Sequence, residues 1–250
     1  SGKKLGHIFP ARNAIPVPDS VPLDHAAVMM CSSATSLHAL RKGRLSPGGT
    51  VAVFGVGGLG MSAVQLALLE GASTVFAIDP NPDKLARAAR LGAEPVDNET
   101  NPVVVLLDRG GVDVALDLVG SGVVMRQCLE SLAPMGRAVA VGLTPDTIQV
   151  GPYTDLVTGE SEIVGASDHL ASEIRELLDH AAAGRLLLDE HHHGRTAAEA
   201  ARRAIEAIQR RAGGTSGQLS LAEPDGSGAP PPNRGLPSRS TRVGAGFGAA

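Results

Sequence analysis

Three glycines and one aspartate carry the chemistry that the residue spacing suggests. Gly55, Gly57 and Gly60 stand in Thr50-Val-Ala-Val-Phe-Gly-Val-Gly-Gly-Leu-Gly60, and Asp79 follows nineteen residues beyond Gly60. An apolar, β-branched run stops at Gly55, and a helix-period pattern (Leu59, Ala63, Leu66, Ala67) then continues to Gly71. G-x-G-x-x-G placed between a strand and a helix is the context in which the motif signifies dinucleotide binding. Gly55 makes the tight turn, Gly57 lets backbone approach a pyrophosphate, and Gly60 lets the helix lie close on the strand. The first amides of that helix, around Gly58, Leu59 and Gly60, have no intrahelical acceptor, and its dipole favours negative charge there. A glycine-rich turn without a ligand is the competing reading. The second apolar run, 73–78, ending in an acid, argues against it.

Asp79 bears on which dinucleotide. A carboxylate at the tip of a second strand accepts hydrogen bonds from both hydroxyls of the adenosine ribose. It also repels the extra phosphate of NADP. Two like charges 4 Å apart oppose each other by about 1 kcal/mol in water-like surroundings and about 4 kcal/mol near a protein surface. Pro80-Asn81-Pro82 supplies no arginine to reverse that preference, so NAD is expected over NADP. A solvated strand-end acid is the alternative for Asp79.

The elements that would position these groups follow from turn and cap signals. Residues 1–24 carry four prolines and no sustained helical period. A helical pattern over 23–42 stops at Gly43, and Ser46-Pro47-Gly48-Gly49 turns into the first strand. Asn81-Pro82 and Asn101-Pro102 each read as an N-cap followed by proline at the first helical position, with Gly92 and Gly110 as stops. Strand propensity in Val103-Val-Val-Leu-Leu107 conflicts with the second of these signals; a helix is expected. Strands are expected over 112–119, 137–143 and around Ile163-Val164, and helices over 123–132 and 172–183. The capping box Thr196-Ala-Ala-Glu199 opens a helix to about Arg211, before a short strand at 218–221. Strands alternating with helices predict an α/β fold with a doubly wound parallel sheet. From Glu223 the composition turns to Gly, Pro, Ser and Arg, and the tail 223–250 is expected to be disordered.

Composition narrows the classes. At 43% hydrophobic and 19% charged the 250-residue chain is ordinary for a globular protein, and five aromatic residues without tryptophan imply an aliphatic core. A net charge of −4 offers nothing to attract nucleic acid or an anionic membrane, and no apolar run is long enough to span a bilayer. Cys31 and Cys128 do not make a disulfide framework, so a reducing cytoplasm is expected.

With the pieces placed, the chain resembles the zinc-type alcohol dehydrogenases of the medium-chain dehydrogenase/reductase superfamily. The likeness rests on Pro16-Val-Pro-Asp-Ser-Val-Pro-Leu-Asp-His-Ala-Ala27, Cys31-Ser-Ser-Ala-Thr-Ser-Leu-His-Ala-Leu40, the 55–60 glycine stretch, 79–84 with Leu91-Gly92-Ala93, Gly111-Val-Asp-Val-Ala-Leu-Asp-Leu-Val-Gly120, and 137–146. It implies an NAD-binding Rossmann domain over 25–170. Remnants of a barrel-like catalytic domain are implied at both ends, 1–24 before it and 171–222 returning after it. The sequence is expected to begin near the end of that catalytic domain. The resemblance makes Cys31 a zinc ligand, Thr35 a neighbour of the nicotinamide, and Lys84 a partner of Asp79 at the ribose. Val119, Val141, Gly142 and Leu143 become strand ends lining the nicotinamide side, followed by Ala166 and Ser167. Gln218 stands near where the family commonly has an arginine on the phosphates, so pyrophosphate binding is expected to be weaker. One thiolate cannot hold zinc, which takes four ligands. The implied activity is hydride transfer between NAD and an alcohol or polyol, in a homo-oligomer formed by pairing sheet edges. No residue of this chain is assigned a catalytic role. Two rival functions remain: a non-catalytic NAD(H)-binding module, and a zinc-independent quinone or enoyl reductase.

Other polar groups read as structural. His191-His192-His193 fits a solvated connector, Asp113 and Asp117 fit fold-supporting hydrogen bonds, and Cys128 fits the core. His38 fits helix packing better than a cofactor contact, and Lys84, Arg87 and Arg90 form a helix face.

Overall fold

Five-residue β-branched runs that are buried along nearly their whole length form the centre of the fold. β1 (Thr50–Phe54) and β2 (Thr74–Ile78) each bury four of five residues, which suits strands covered on both faces. The computed structural model describes residues 14–97 and 101–188 of the chain. There a six-stranded sheet is completed by β3 (Glu94–Val96), β4 (Val112–Asp117), β5 (Leu132–Ala140) and β6 (Glu162–Gly165), in the order β3-β2-β1-β4-β5-β6. Every pairing is parallel. The order runs outward in both directions from β1 and β4, so the reversal point lies between those two strands, where such sheets take their ligands.

Alternation along the strands separates two cores. Val51, Val53, Val75, Ala77, Val114 and Leu116 face one layer, which holds α1 (Leu23–Met29), α2 (Ser32–Lys42), α3 (Gly58–Leu69), α4 (Pro82–Arg90) and α7 (Ala171–Ala182). Ala52, Phe54, Phe76, Ile78 and Ala115 face the other, with α5 (Pro102–Asp108) and α6 (Gly122–Glu130). This is the expected doubly wound α/β fold.

The cap signals hold where the side chains close them. Asn81 accepts the amides of Asp83 (2.9 Å) and Lys84 (3.3 Å), and Asn101 accepts that of Val103 (3.0 Å). The second cap, with Pro102 at the first position, makes α5 a helix despite its β-branched run.

Several boundaries differ from expectation. The pattern over 23–42 is two helices. The Ser32 hydroxyl donates to the Val28 carbonyl at 2.8 Å while the Cys31 amide bonds the same oxygen from three residues away, so the ladder tightens and breaks at Met30–Cys31. Gly43 keeps a right-handed conformation, and the left-handed turn falls on Arg44 at φ 52°. Glycine is still needed there, because a Cβ would sit 2.5 Å from Val114 Cγ1. β3 carries no strand signal in the sequence, being three residues that contain Pro95, tolerable on an edge strand. β5 starts at Leu132, inside the expected helix, and ends at Ala140; a register shift opposite 112–114 and Met135 at φ 64° absorb the irregular Pro134-Met135-Gly136. A single π-helical turn, Pro152–Val157, had no sequence signal. The expected helix from Thr196, the strand at 218–221, Gln218, His191–His193 and the tail 223–250 lie outside the described residues.

Candidate functional site

The glycines separate into two mechanical kinds. Gly55 leaves β1 at φ +91°, and a Cβ there would lie 2.7 Å from Val119 Cγ2, so the turn after β1 lies close against the residues that follow β4. At Gly60 a Cβ would run into the Gly55 carbonyl oxygen, which fixes how closely α3 lies on β1. Gly57 and Gly58 are different: a Cβ on either meets nothing within 4 Å. Open space there leaves room for something other than this protein's own atoms.

That space is polar in one sense only. Gly57 caps α3 without a side chain, and Met61 is the first residue whose amide bonds back, to Gly57 O at 2.9 Å. Among the described residues the amides of Gly58, Leu59 and Gly60 find no acceptor. A cluster of orphan N–H groups at the positive end of a helix dipole is complementary to a diphosphate.

Asp79 is 4% exposed and holds the loop as well as facing the site. Oδ2 accepts the Val56 amide at 3.1 Å and Lys84 Nζ at 3.1 Å, and Oδ1 accepts the Asn81 amide at 3.0 Å. Of roughly four acceptor positions on a carboxylate, three are used, leaving capacity for one more donor. A cleft of about 580 Å³ opens beside it, lined in part by Pro80, Leu85, Pro95 and Asp97. The bond to Val56 was not legible in the sequence. It makes Asp79 a brace for the glycine turn, not a freely solvated acid.

Beyond the reversal point, Asp117 does the equivalent work. Its Oδ1 accepts the amides of Val119 (3.0 Å) and Gly120 (2.9 Å), and its carbonyl accepts those of Val141 (3.1 Å) and Gly142 (2.9 Å). Gly142 lies so close to Gly120 that a Cβ would meet its amide nitrogen. Val119 and Leu143 are left 52% and 97% exposed at this edge. The available signal was an aspartate two to three residues before a glycine at a strand end, an Asx-type turn. Ala166, expected on the same edge, is 7% exposed and belongs to the first core; its neighbour Ser167 is exposed.

α2 stands against the start of α3. Ser36 Oγ donates to Leu59 O at 2.8 Å and Ser33 and Ser62 hydroxyls pair at 3.0 Å, so half-buried Thr35 rides on a helix bonded to the glycine loop. His38 packs between helices: its Nδ1 lies 3.1 Å from Glu173 Oε1 on α7, a carboxylate 1% exposed. Asp113 accepts the amide and hydroxyl of Thr50, a fold-supporting role. Cys128 is fully buried, which pushes its thiol pKa well up. Cys31 is exposed at the N-cap of α2. Among the described residues no three His, Cys, Asp or Glu side chains stand close enough together to hold a metal ion. Zinc therefore does not fit the donors described.

A doubly wound parallel sheet with a glycine turn, an uncapped helix start and an acid at the neighbouring strand tip defines a Rossmann-type domain. The zinc-binding dehydrogenase family model matches residues 58–183, half of the chain. The chain belongs to that family. It is 33% identical over 153 residues to the (R,R)-butanediol dehydrogenase of Bacillus subtilis, covering 60% of this chain and 44% of that one. An alcohol dehydrogenase from Thermus sp. ATN1 superposes with a TM-score of 0.70 at 30% identity, covering 79% of this chain and 59% of the other. A protein described as a zinc-binding dehydrogenase from Sinorhizobium meliloti, solved bound to NADP, gives 0.67 at 28% identity, covering 72% and 54%. The chain thus spans about half the length of the relatives it matches.

Proposed function

We propose that this chain is the cofactor-binding part of an NAD-dependent alcohol or polyol dehydrogenase. In this reading the amides of Gly57, Gly58, Leu59 and Gly60 hold the pyrophosphate, and Gly55 makes the turn that presents them. Asp79 and Lys84 meet the adenosine ribose. Val119, Val141, Gly142 and Leu143 line the nicotinamide half, with Thr35 opposite. Residues 25–170 are the NAD-binding domain, with Val21 and α7 packed into its first core, and the rest of 1–24 and of 171–222 belongs with the catalytic part. NAD, when bound, takes up or returns the hydride exchanged with the alcohol carbon. The chain's own residues orient the ring and keep it at a fixed edge of the sheet.

The observation that carries this reading is the set of orphan amides above the open space at Gly57 and Gly58. The Bacillus relative's name, a butanediol dehydrogenase, supports a small alcohol or polyol as substrate. The NADP in the Sinorhizobium protein makes cofactor choice a matter for this chain's own residues. Here Asp79 favours NAD by the repulsion of a second phosphate. A non-catalytic NAD(H)-binding module is the second reading, favoured by the donor set, which offers Cys31 without partners among the described residues. No described helix is long and apolar enough to cross a membrane; a cytoplasmic homo-oligomer is part of the proposal.

Titration of the full chain with NADH, followed by the nucleotide's own fluorescence, tests the first element. Saturable binding with weaker NADPH supports it, and no binding at millimolar nucleotide overturns it. Metal analysis with an alcohol-oxidation assay separates the two readings: binding without zinc or turnover favours the module.

A further inference from the structure

Strand order sets where the two halves of a dinucleotide go. With phosphates on α3 and one ribose at Asp79 on the β2 side, the other half extends across β4 and β5, over Val119 and Leu143. Leu143 opens a segment, residues 143–151, that leaves β5 and passes beside α6 to the π-helical turn. Its apolar anchors, Ile148 and Val150, are half-buried against the second core. Such contacts are non-directional and leave the segment's register to its polar ties.

Those ties converge on α6. The Gly122 amide donates to Asp146 Oδ2 at 3.0 Å. One turn along, Arg126 donates from Nη1 to Gln149 O (3.2 Å) and Asp155 Oδ2 (2.6 Å), from Nη2 to Asp155 Oδ1 (2.9 Å), and from Nε to Glu130 Oε1 (2.7 Å). Asp155 also accepts the Gly151 amide at 2.7 Å. The guanidinium therefore grips both the segment and the turn that ends it, in the paired geometry only arginine offers. An open cleft of about 1000 Å³ lies against these residues, with Asn101, Val123, Gln127 and Thr147 also on its walls.

We propose that Arg126 is a positioning residue for the nicotinamide half of the cofactor: Asp117 holds Gly142 by its amide, and Arg126, by clamping Gln149 and Asp155, fixes the segment beyond it and with it Leu143 beside Val119. The inference rests on the NAD-binding reading and adds a residue that touches no part of the cofactor.

The test compares NADH with ADP-ribose, which lacks the nicotinamide ring, by calorimetry on the full chain and on Arg126→Ala, Arg126→Lys and Asp155→Asn. Arg126→Ala is expected to weaken NADH by roughly two- to thirtyfold, the range of indirect couplings, while ADP-ribose binds as in the wild type. Arg126→Lys and Asp155→Asn shift the ratio in the same direction by less. An unchanged NADH to ADP-ribose ratio overturns the inference, including the case where both ligands weaken equally. If Arg126→Ala fails to fold, as judged by circular dichroism, the lysine variant decides by the same ratio. A wild-type chain that binds ADP-ribose as tightly as NADH also overturns the inference, while leaving the phosphate cradle intact. A wild-type chain that binds neither removes the NAD reading itself and this inference with it.

Discussion

One methyl group placed at either of two glycines separates a ligand-built cradle from a merely structural turn. At Gly60 the added Cβ meets the Gly55 carbonyl, so α3 must move off β1. Overpacking of this kind costs about 1–3 kcal/mol. For a chain of this size that lowers Tm by about 2–12 °C. At Gly57 the same Cβ meets nothing within 4 Å, and the residue's backbone is extended, at φ −78° and ψ −153°, with no left-handed conformation to demand glycine. The fold then loses only the N-cap preference for glycine over alanine, about 1 kcal/mol or less. The space that the methyl fills is the space assigned to the pyrophosphate. Pushing a phosphate off one amide forfeits a charge-assisted bond of about 1.5–3 kcal/mol, roughly ten- to hundredfold in affinity. Gly57→Ala should therefore lose NADH binding with Tm nearly unchanged, and Gly60→Ala should lose both. The assays are NADH fluorescence titration and a thermal melt on each variant. A Gly57→Ala protein that binds NADH like the wild type would refute the assignment of that space to a ligand.

Replacing Asp79 with serine should narrow the preference for NADH over NADPH by about 1–4 kcal/mol, since the repelling charge goes and Lys84 is freed; a ratio of dissociation constants that stays put counts against Asp79 as the selector. The same variant should also lose thermal stability, because the Val56 and Asn81 amides lose their acceptor. An aromatic disulfide reagent should titrate one thiol in the native chain and two in denaturant: Cys31 is exposed, whereas Cys128 is buried with its pKa raised; two fast thiols in the native state contradict the second core. The Asp155 carboxyl is drawn down to about 2 by Arg126 and the Gly151 amide, below its ordinary 3.8. A depressed carboxylate pKa gives stability that is present above the unfolded value and lost as pH falls through the folded one. Asp155→Asn should therefore flatten the stability profile between about pH 4 and pH 2; a profile that keeps the wild-type slope refutes the pairing.

Much of this site was legible because its signals are local. A glycine at φ +91°, an Asn-Pro cap and an acid at a strand tip each follow from the residue at that position and its near neighbours. The sheet followed from the alternation of apolar runs with capped helices, and α5 followed from its cap against its own propensity. What stayed hidden depends on partners far along the chain. Asp79 bracing Val56, Asp117 bracing both Val119 and Gly142, and Ser36 reaching Leu59 are contacts that no spacing rule gives. Ala166, which the resemblance sets at the nicotinamide edge, buries its side chain in the first core, a detail that the motif does not carry. The break at Cys31 came from a serine hydroxyl competing for a carbonyl, and the early start of β5 from a bulge that accommodates Pro134 and Gly136. Both are decided by hydrogen bonds that hydrophobic periodicity does not register.

The most direct measurement is the amide spectrum of this isotopically labelled chain with and without NADH. Binding at the start of α3 predicts saturable shifts at Gly57, Gly58, Leu59 and Gly60, reproduced by ADP-ribose at the same four amides. Saturable NADH binding that leaves those four resonances in place would contradict it.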